Sequence, residues 1–322
     1  MADAAKICWV VSDGRAGIEN QALGLAEAIG RRRPLRIYRQ QAHLPWPWRH
    51  LPSAATPSAM VSPDIAAGDP APDLWIGCGR QAAAFTVAAR RRQPRPFRVQ
   101  LQDPRVDPRK FDLVVAPAHD ALAGDNVLTM VGAPHRLTRE VIAAAASALA
   151  GRASLGDGPR VAALIGGPNS LYGFGVADQA AIVDRLDAIA AAGARLLLTT
   201  SRRTPAAMRA ALQARFGDEH LLDGAVDLYP GMLGVADNIL VTADSVNMIC
   251  EATAAGAPVQ ILSLTKRRQG QSKFDAFHAA MEAAGAVSAF DGALSRQAPA
   301  AFDETGRVAD AVIARWDAAT AD

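Results

Sequence analysis

Three cysteines, three tyrosines and an aromatic content of 5% leave this 322-residue chain poor in the residues that staple, ligate or stack. Cys8, Cys78 and Cys250 each lie in or beside an apolar run, and no pair has metal-ligand spacing. An odd count in such places excludes a disulfide framework and fits a reducing compartment. An excess of one charge is missing too: 34 Lys and Arg face 32 Asp and Glu. That balance gives no electrostatic footprint for nucleic acid or an acidic membrane surface. No apolar run approaches the roughly 18–20 residues of a membrane span, and the Ala-rich Val141–Ala150 reads as a helix. Met1–Lys6 leads straight into an apolar strand, without the basic head, apolar stretch and cleavage site of a signal peptide. The expectation is a cytoplasmic protein with no membrane span, touching a membrane peripherally at most.

What is present is alternation. Half the residues are hydrophobic, and short β-branched runs alternate with helical patterns, the mark of βαβ units and a parallel sheet. Strands are expected at Ile7–Val11, Leu35–Tyr38, Asp73–Gly77, Phe97–Leu101, Asp112–Ala116 and Asn126–Met130. A second set follows at Arg160–Ile165, Arg195–Thr200, Asn238–Thr242, Pro258–Leu262 and Val287–Phe290. The clearest helix is Ala177–Ala192, with Ile182, Leu186 and Ile189 on one face. His43–Pro72, rich in proline and bearing Trp46 and Trp48, interrupts the pattern as either a surface excursion or a binding loop.

A glycine-rich stretch, Gly151 to Pro159, separates the two strand sets, and both halves open with strand, glycine loop and helix: ICWVVSDGRAGIENQ and RVAALIGGPNSLYGF. The expected architecture is α/β, with two Rossmann-like domains facing across a cleft. They span residues 1–145 and 146–300, and a last helix in 301–322 packs back on the first. Such sheets bind ligands beyond the carboxyl ends of their strands.

The candidate chemistry sits in the loops at those ends. In the first half, Gly14 and Gly17 permit a tight turn before a helix N-terminus suited to anions, Arg15 adds charge, and Asp13 is placed to take a proton. The same residues also make a plain turn, with Asp13 as a cap or a partner for Arg15. His119 beside Asp120 follows another strand and reads as a base with an orienting partner, or as a surface histidine. In the second half, Gly166 and Gly167 offer backbone N–H groups to a diphosphate. Thr199 to Thr204 supplies hydroxyls and guanidinium groups, with Thr204 capping a helix that starts at Pro205. Asp244 or Ser245 caps a helix carrying Glu251, which can receive two hydroxyls of a ribose or sugar, and Lys273 lies in a basic stretch suited to phosphate or to a solvated loop. Neither G-x-G-x-x-G nor a Walker Gly-Lys-Ser/Thr occurs, which argues against a nicotinamide cofactor and an ATPase.

WVVSDGRAGIENQALGLAEAIG, PDLWIGCGRQ, VQLQDPR, FDLVVAPAHD, NVLTMVGAPHR, ALIGGPN, LLLTTSRRTP, ADNILVTADSVNMICEA and KFDAFH follow in that order. Together they resemble the mitochondrial-fission Elm-type family over nearly the whole chain. The glycine loops and the TADS-helix-Glu segment are also similar to GT-B glycosyltransferases that use a UDP-sugar. That likeness implies a donor nucleotide held by the second domain: Gly166, Gly167 and Asn169 near its diphosphate, Ser201 and Arg202 beside them, Asp244 and Ser245 at the helix start, and Glu251 on the ribose. It implies an unidentified acceptor entering at Asp13, Gly14, Arg15 and Gly17. It further implies transfer without a metal or cofactor, in keeping with the absence of a D-x-D motif. The family name suggests the alternative, a non-catalytic scaffold that recruits a partner. A nucleotide-sugar epimerase with a Tyr-x-x-x-Lys pair is disfavoured, because no lysine stands four residues after Tyr38, Tyr172 or Tyr229.

Overall fold

The computed structural model describes residues 4–48, 51, 69–89, 96–150, 158–222 and 228–321. The chain divides into two compact units, Met1–Arg136 with Asp303–Asp322, and Leu137–Phe302.

In the first unit the elements run β1 (Lys6–Ser12), α1 (Ala16–Gly30), β2 (Leu35–Gln41), β3 (Leu74–Cys78), α2 (Gly79–Ala89), β4 (Phe97–Leu101), β5 (Leu113–Pro117) and β6 (Val127–Met130). The sheet is parallel throughout, in the order β2-β1-β3-β4-β5-β6. Strands β1 and β3 are apolar on both faces, as strands covered by helices on both sides must be, whereas the neighbouring β4 also buries Arg98 and Gln100. Cys8, Val10, Leu74, Ile76 and Val99 pack toward α1 on one face, while Trp9, Val11 and Trp75 pack toward Phe85 of α2 on the other. Of the 43–72 segment, residues 43–48, 51 and 69–72 are described: Trp46 is 75% exposed, whereas Trp48 packs on the Trp9 and Trp75 cluster.

The second unit runs α3 (Arg139–Ala150), β7 (Arg160–Ile165), α4 (Val176–Ala191), β8 (Arg195–Thr200), α5 (Ala206–Phe216), α6 (Leu228–Val235), β9 (Asn238–Thr242), α7 (Val246–Thr253), β10 (Val259–Leu262), α8 (Lys273–Ala283) and β11 (Ser288–Ala289). Its sheet is also parallel, ordered β11-β10-β9-β7-β8. Ile182, Leu186 and Ile189 of α4 are buried on that sheet, as the 3.6-residue spacing requires. The sequence places 139–145 in the first half, but α3 belongs to the second unit. The reason is local: Gly231 and Gly234 of α6 leave no room for side chains. A Cβ at Gly234 would meet Ile142 O and Ala146 Cβ at 2.8 Å, and one at Gly231 would meet Ala145 O at 2.9 Å. The two helices therefore touch backbone to backbone.

The chain then returns. Helix α9 (Glu304–Ala321) buries Val308, Ala309, Val312 and Trp316 in the core of the first unit, and the Arg33 guanidinium lies 5.1 Å from the Trp316 ring centre. Counted along the chain, the first sheet has the strand order 2-1-3-4-5-6 and the second 2-1-3-4-5, so each reverses direction between its first and third strands. That reversal opens a crevice at the carboxyl ends of β1 and β3 in one unit, and of β7 and β9 in the other. Among the described residues, no helix is long and apolar enough to cross a membrane.

Candidate functional site

At the reversal point of the second sheet, three loops are tied together by one buried carboxylate. The Asp244 side chain is wholly enclosed. It accepts hydrogen bonds from the Gly167 N–H at 3.0 Å, the Thr242 hydroxyl at 2.7 Å and the Arg203 guanidinium at 2.7 Å. Thr242 Oγ1 in turn accepts from the Gly166 N–H at 2.7 Å. Arg203 also donates to the carbonyls of Gly167 and Pro168. Asn169 donates to the Asp244 carbonyl at 3.1 Å and receives the N–H groups of Leu171 and Tyr172 at 2.8 Å. The polar groups satisfy one another, and the loops after β7, β8 and β9 become one rigid piece.

This arrangement revises two expectations drawn from sequence. The Gly166 and Gly167 amides are already engaged by Thr242 and Asp244, so they are not an open cradle for a diphosphate. These positions are glycine because of crowding: a Cβ at Gly166 would lie 2.1 Å from Asp244 Oδ1, and one at Gly167 would lie 2.1 Å from the Arg203 carbonyl oxygen. Thr204 is not a helix cap, since Pro205 holds the cap position of α5. Its hydroxyl turns back to the carbonyls of Ile165 and Gly166 at 2.9 and 2.6 Å and accepts from the Ser201 N–H.

Helix α7 begins on this platform. Ser245 caps it, accepting from the Met248 N–H at 3.4 Å, which leaves the Val246 amide of the first turn without an intrahelical acceptor. Glu251 is four residues beyond Asn247 and shares its face. From Val246 to Glu251 the helix rises about 8 Å. The carboxylate is half-buried and receives the Tyr229 hydroxyl at 2.9 Å. Burial pushes its pKa up to about 6, opposed in part by that hydrogen bond. The same burial, with Glu251 adjacent, holds the Tyr229 phenol well above its ordinary range. Arg202 is exposed at the neighbouring loop, and Ser201 Oγ holds the Arg203 N–H at 3.1 Å. Lys273 opens α8, exposed. Further into α8, His278 packs against the rings of Phe274 and Phe277, and burial lowers its basicity.

The reversal point of the first sheet is a separate polar cluster. Asp13 is only 4% exposed at its side chain, against 70% for Arg15. It accepts from the Arg15 backbone and guanidinium at 3.2 and 2.9 Å. Burial works to raise its pKa, but the bonds from Arg15 and Gln81 outweigh it and hold the carboxyl below its usual value. Asp13 is thus Arg15's partner and a poor proton acceptor, and its partners do not include His119. Gly14 adopts φ +78°, with Gln41 filling the space a side chain would need, while Gly17 sits in the first turn of α1. Gln21 accepts from Gln102 at 2.9 Å beside buried Cys78. His119 lies in a 3₁₀ turn after β5. That is three strands from β1, about 14 Å away at ordinary strand spacing, so Asp13 and His119 do not form a catalytic pair.

The sequence reading missed Tyr229, Thr242 and the glutamines Gln21 and Gln81 as functional residues. Only Thr242 carried a local signal, as the last residue of a strand. Two cavities, of about 720 and 460 Å³, open at the amino ends of β4–β6 and of β9–β10, the opposite edges from these loops. Among the described residues, no group of three or more His, Cys, Asp or Glu is placed to hold a metal ion.

Two parallel sheets, which share the order 2-1-3-4-5 and each have a reversal-point crevice, define the two Rossmann-like domains of a GT-B-like fold. The family profile described as Mitochondrial fission ELM1 matches residues 16–316, and the chain belongs to that family. The Mitochondrial fission protein ELM1 of Arabidopsis thaliana is 28% identical over 251 residues, 69% of this chain and 58% of the plant protein. The match therefore spans little more than half of that relative. Among solved structures, a Listeria monocytogenes protein assigned as a UDP-N-acetylglucosamine 2-epimerase aligns with TM-score 0.50 at 13% identity, over 97% of this chain and 90% of that one. The glycosyltransferase SnogD of Streptomyces nogalater aligns with TM-score 0.47 at 15% identity, over 98% and 96%.

Proposed function

We propose that the second unit binds the ribonucleoside diphosphate part of a nucleotide sugar, and that the protein transfers the sugar to an acceptor held at the Asp13–Gly17 loop. One observation carries this reading: α7 combines a phosphate-attracting N-terminus with Glu251 about 8 Å down the helix, the separation and chemistry of a diphosphate and a ribose diol. The Val246 amide at the helix N-terminus and Arg202 receive the phosphates, and the Glu251 carboxylate receives the 2′- and 3′-hydroxyls. In transfer, the acceptor oxygen forms a bond to the anomeric carbon while the bond from that carbon to the diphosphate breaks. The acceptor proton is lost to solvent or to a base. Charge on the departing diphosphate is met by the helix N-terminus and Arg202, so the reading calls on no metal or redox cofactor. Uridine is the first base to try, because the Listeria protein of similar fold is named for a UDP-sugar.

Isothermal titration with UDP, GDP and their sugars tests the assignment. Micromolar binding by wild type, lost in Glu251→Ala, supports it; no binding, or equal binding by the variant, overturns it.

A second reading is a non-catalytic recruitment protein on the same fold. It is favoured by the engaged state of Asp13 and of the Gly166 and Gly167 amides, which leaves neither a ready base nor an open loop cradle. On that reading, changes at Glu251 leave biological activity intact, and changes at exposed Trp46 abolish it.

A further inference from the structure

Glu251 has two carboxylate oxygens, and the fold treats them differently. Oε2 receives the Tyr229 hydroxyl at 2.9 Å, whereas Oε1 accepts no hydrogen bond from the described residues. Tyr229 is the second residue of α6, and α6 is locked in place by the backbone contact of Gly231 and Gly234 with α3. The phenol oxygen is thus fixed by main-chain packing rather than by a mobile loop. A carboxylate on an eight-residue helix has three side-chain torsions of its own, and a fixed donor removes most of that freedom.

We propose that Tyr229 is the positioning residue of the diol site, holding Oε2 of Glu251 so that Oε1 is presented to the ligand's hydroxyls. This rests on the nucleotide-binding reading above and adds a residue that touches neither sugar nor phosphate. Sharing a bidentate acceptor in this way makes the site selective. A ribose diol must bind in one register, and a ligand without it gains nothing from the carboxylate. The tyrosine acts by orientation, so its loss should reduce discrimination for the diol while leaving phosphate binding alone.

The test compares UDP with 2′,3′-dideoxyuridine diphosphate by calorimetry on the full chain, in wild type, Tyr229→Phe and Glu251→Ala. Wild type is expected to prefer UDP. Tyr229→Phe should weaken UDP binding about tenfold, the size of a lost hydrogen bond to a charged group, and leave the dideoxy ligand unchanged. If Glu251→Ala loses the preference but Tyr229→Phe keeps it, the positioning role is wrong and the nucleotide reading survives. A parallel loss for both ligands in Tyr229→Phe assigns Tyr229 a structural role and also overturns the proposal. If wild type binds neither ligand, the nucleotide reading falls and this inference with it. Should Tyr229→Phe not melt cooperatively, Tyr229→Gln is used, whose amide retains a donor. A diol preference above that of Glu251→Ala then supports the proposal, and a preference equal to it overturns it.

Discussion

Arg203 meets the enclosed carboxylate of Asp244 at 2.7 Å from a guanidinium that is itself 42% exposed. The pair joins solvent-facing charge to a buried anchor, and three strand-end loops depend on it. Asp244→Ala leaves Thr242, the Gly167 amide and Arg203 without their shared acceptor. It is expected to cost about 3 kcal/mol or more of folding stability. Arg203→Ala should cost less, because the guanidinium keeps its hydration. Urea unfolding of the two variants checks the order; a milder effect for Asp244→Ala would show that the loops are held by other means.

Glycine spacing around this anchor gives a second prediction. Gly167→Ala drives a methyl into the Arg203 carbonyl, main chain that has nowhere to go, and should destabilise by about 2–3 kcal/mol. Gly175→Ala, with nothing within 4 Å of the new methyl, should stay within about 1 kcal/mol of wild type. Equal melting temperatures for the two variants would refute the crowding argument.

The raised pKa of Glu251 sets a pH dependence. Its folded value is about 6 against an ordinary 4.5, because burial penalises the charge. The folded chain therefore holds a proton that the unfolded chain has released across that interval. The contribution is full below pH 4.5 and is lost as pH rises through 6, a change of up to about 2 kcal/mol. Glu251→Gln should flatten that part of the stability profile, measured by denaturant unfolding between pH 4.5 and 7.5. On the proposed function, nucleotide affinity moves the other way and weakens below pH 6, as the carboxylate is protonated.

At the other end of the chain, Trp316 is 3% exposed among Val308, Val312 and the first sheet's core. Trp316→Ala is expected to cost about 3–5 kcal/mol, read by calorimetric melting. A loss below about 1 kcal/mol would mean that α9 is an accessory rather than part of that core.

The strands were legible in the sequence because their signal is local. All eleven expected runs coincide with strands of the structure within a few residues, and the helix over 177–192 needed only its own periodicity. A cap at Asp244 or Ser245 was likewise readable from the polar residues between strand and apolar turn, and the structure assigns it to Ser245. What was hidden depends on distance along the chain. Tyr229 meets Glu251 across 22 residues, and nothing in YPGMLG announces an aimed phenol. Gly166 and Gly167 were read as a cradle because a glycine pair looks the same whether it opens space for a ligand or yields it to Asp244. Asp13 and His119 each look competent in their own stretch, and only the strand order puts two strands between them.

The return of α9 has a consequence for how the molecule is made. Unit two is a continuous stretch, whereas unit one is written in two parts separated by 166 residues, Leu137–Phe302. A ribosome releasing this chain finishes the inserted unit before it supplies the last side chains of the host's core. Until Val308, Val312 and Trp316 emerge, the apolar face that they cover is exposed to any chaperone, protease or neighbouring chain. The helix of residues 304–321 thus completes a core whose other parts were made before the inserted unit.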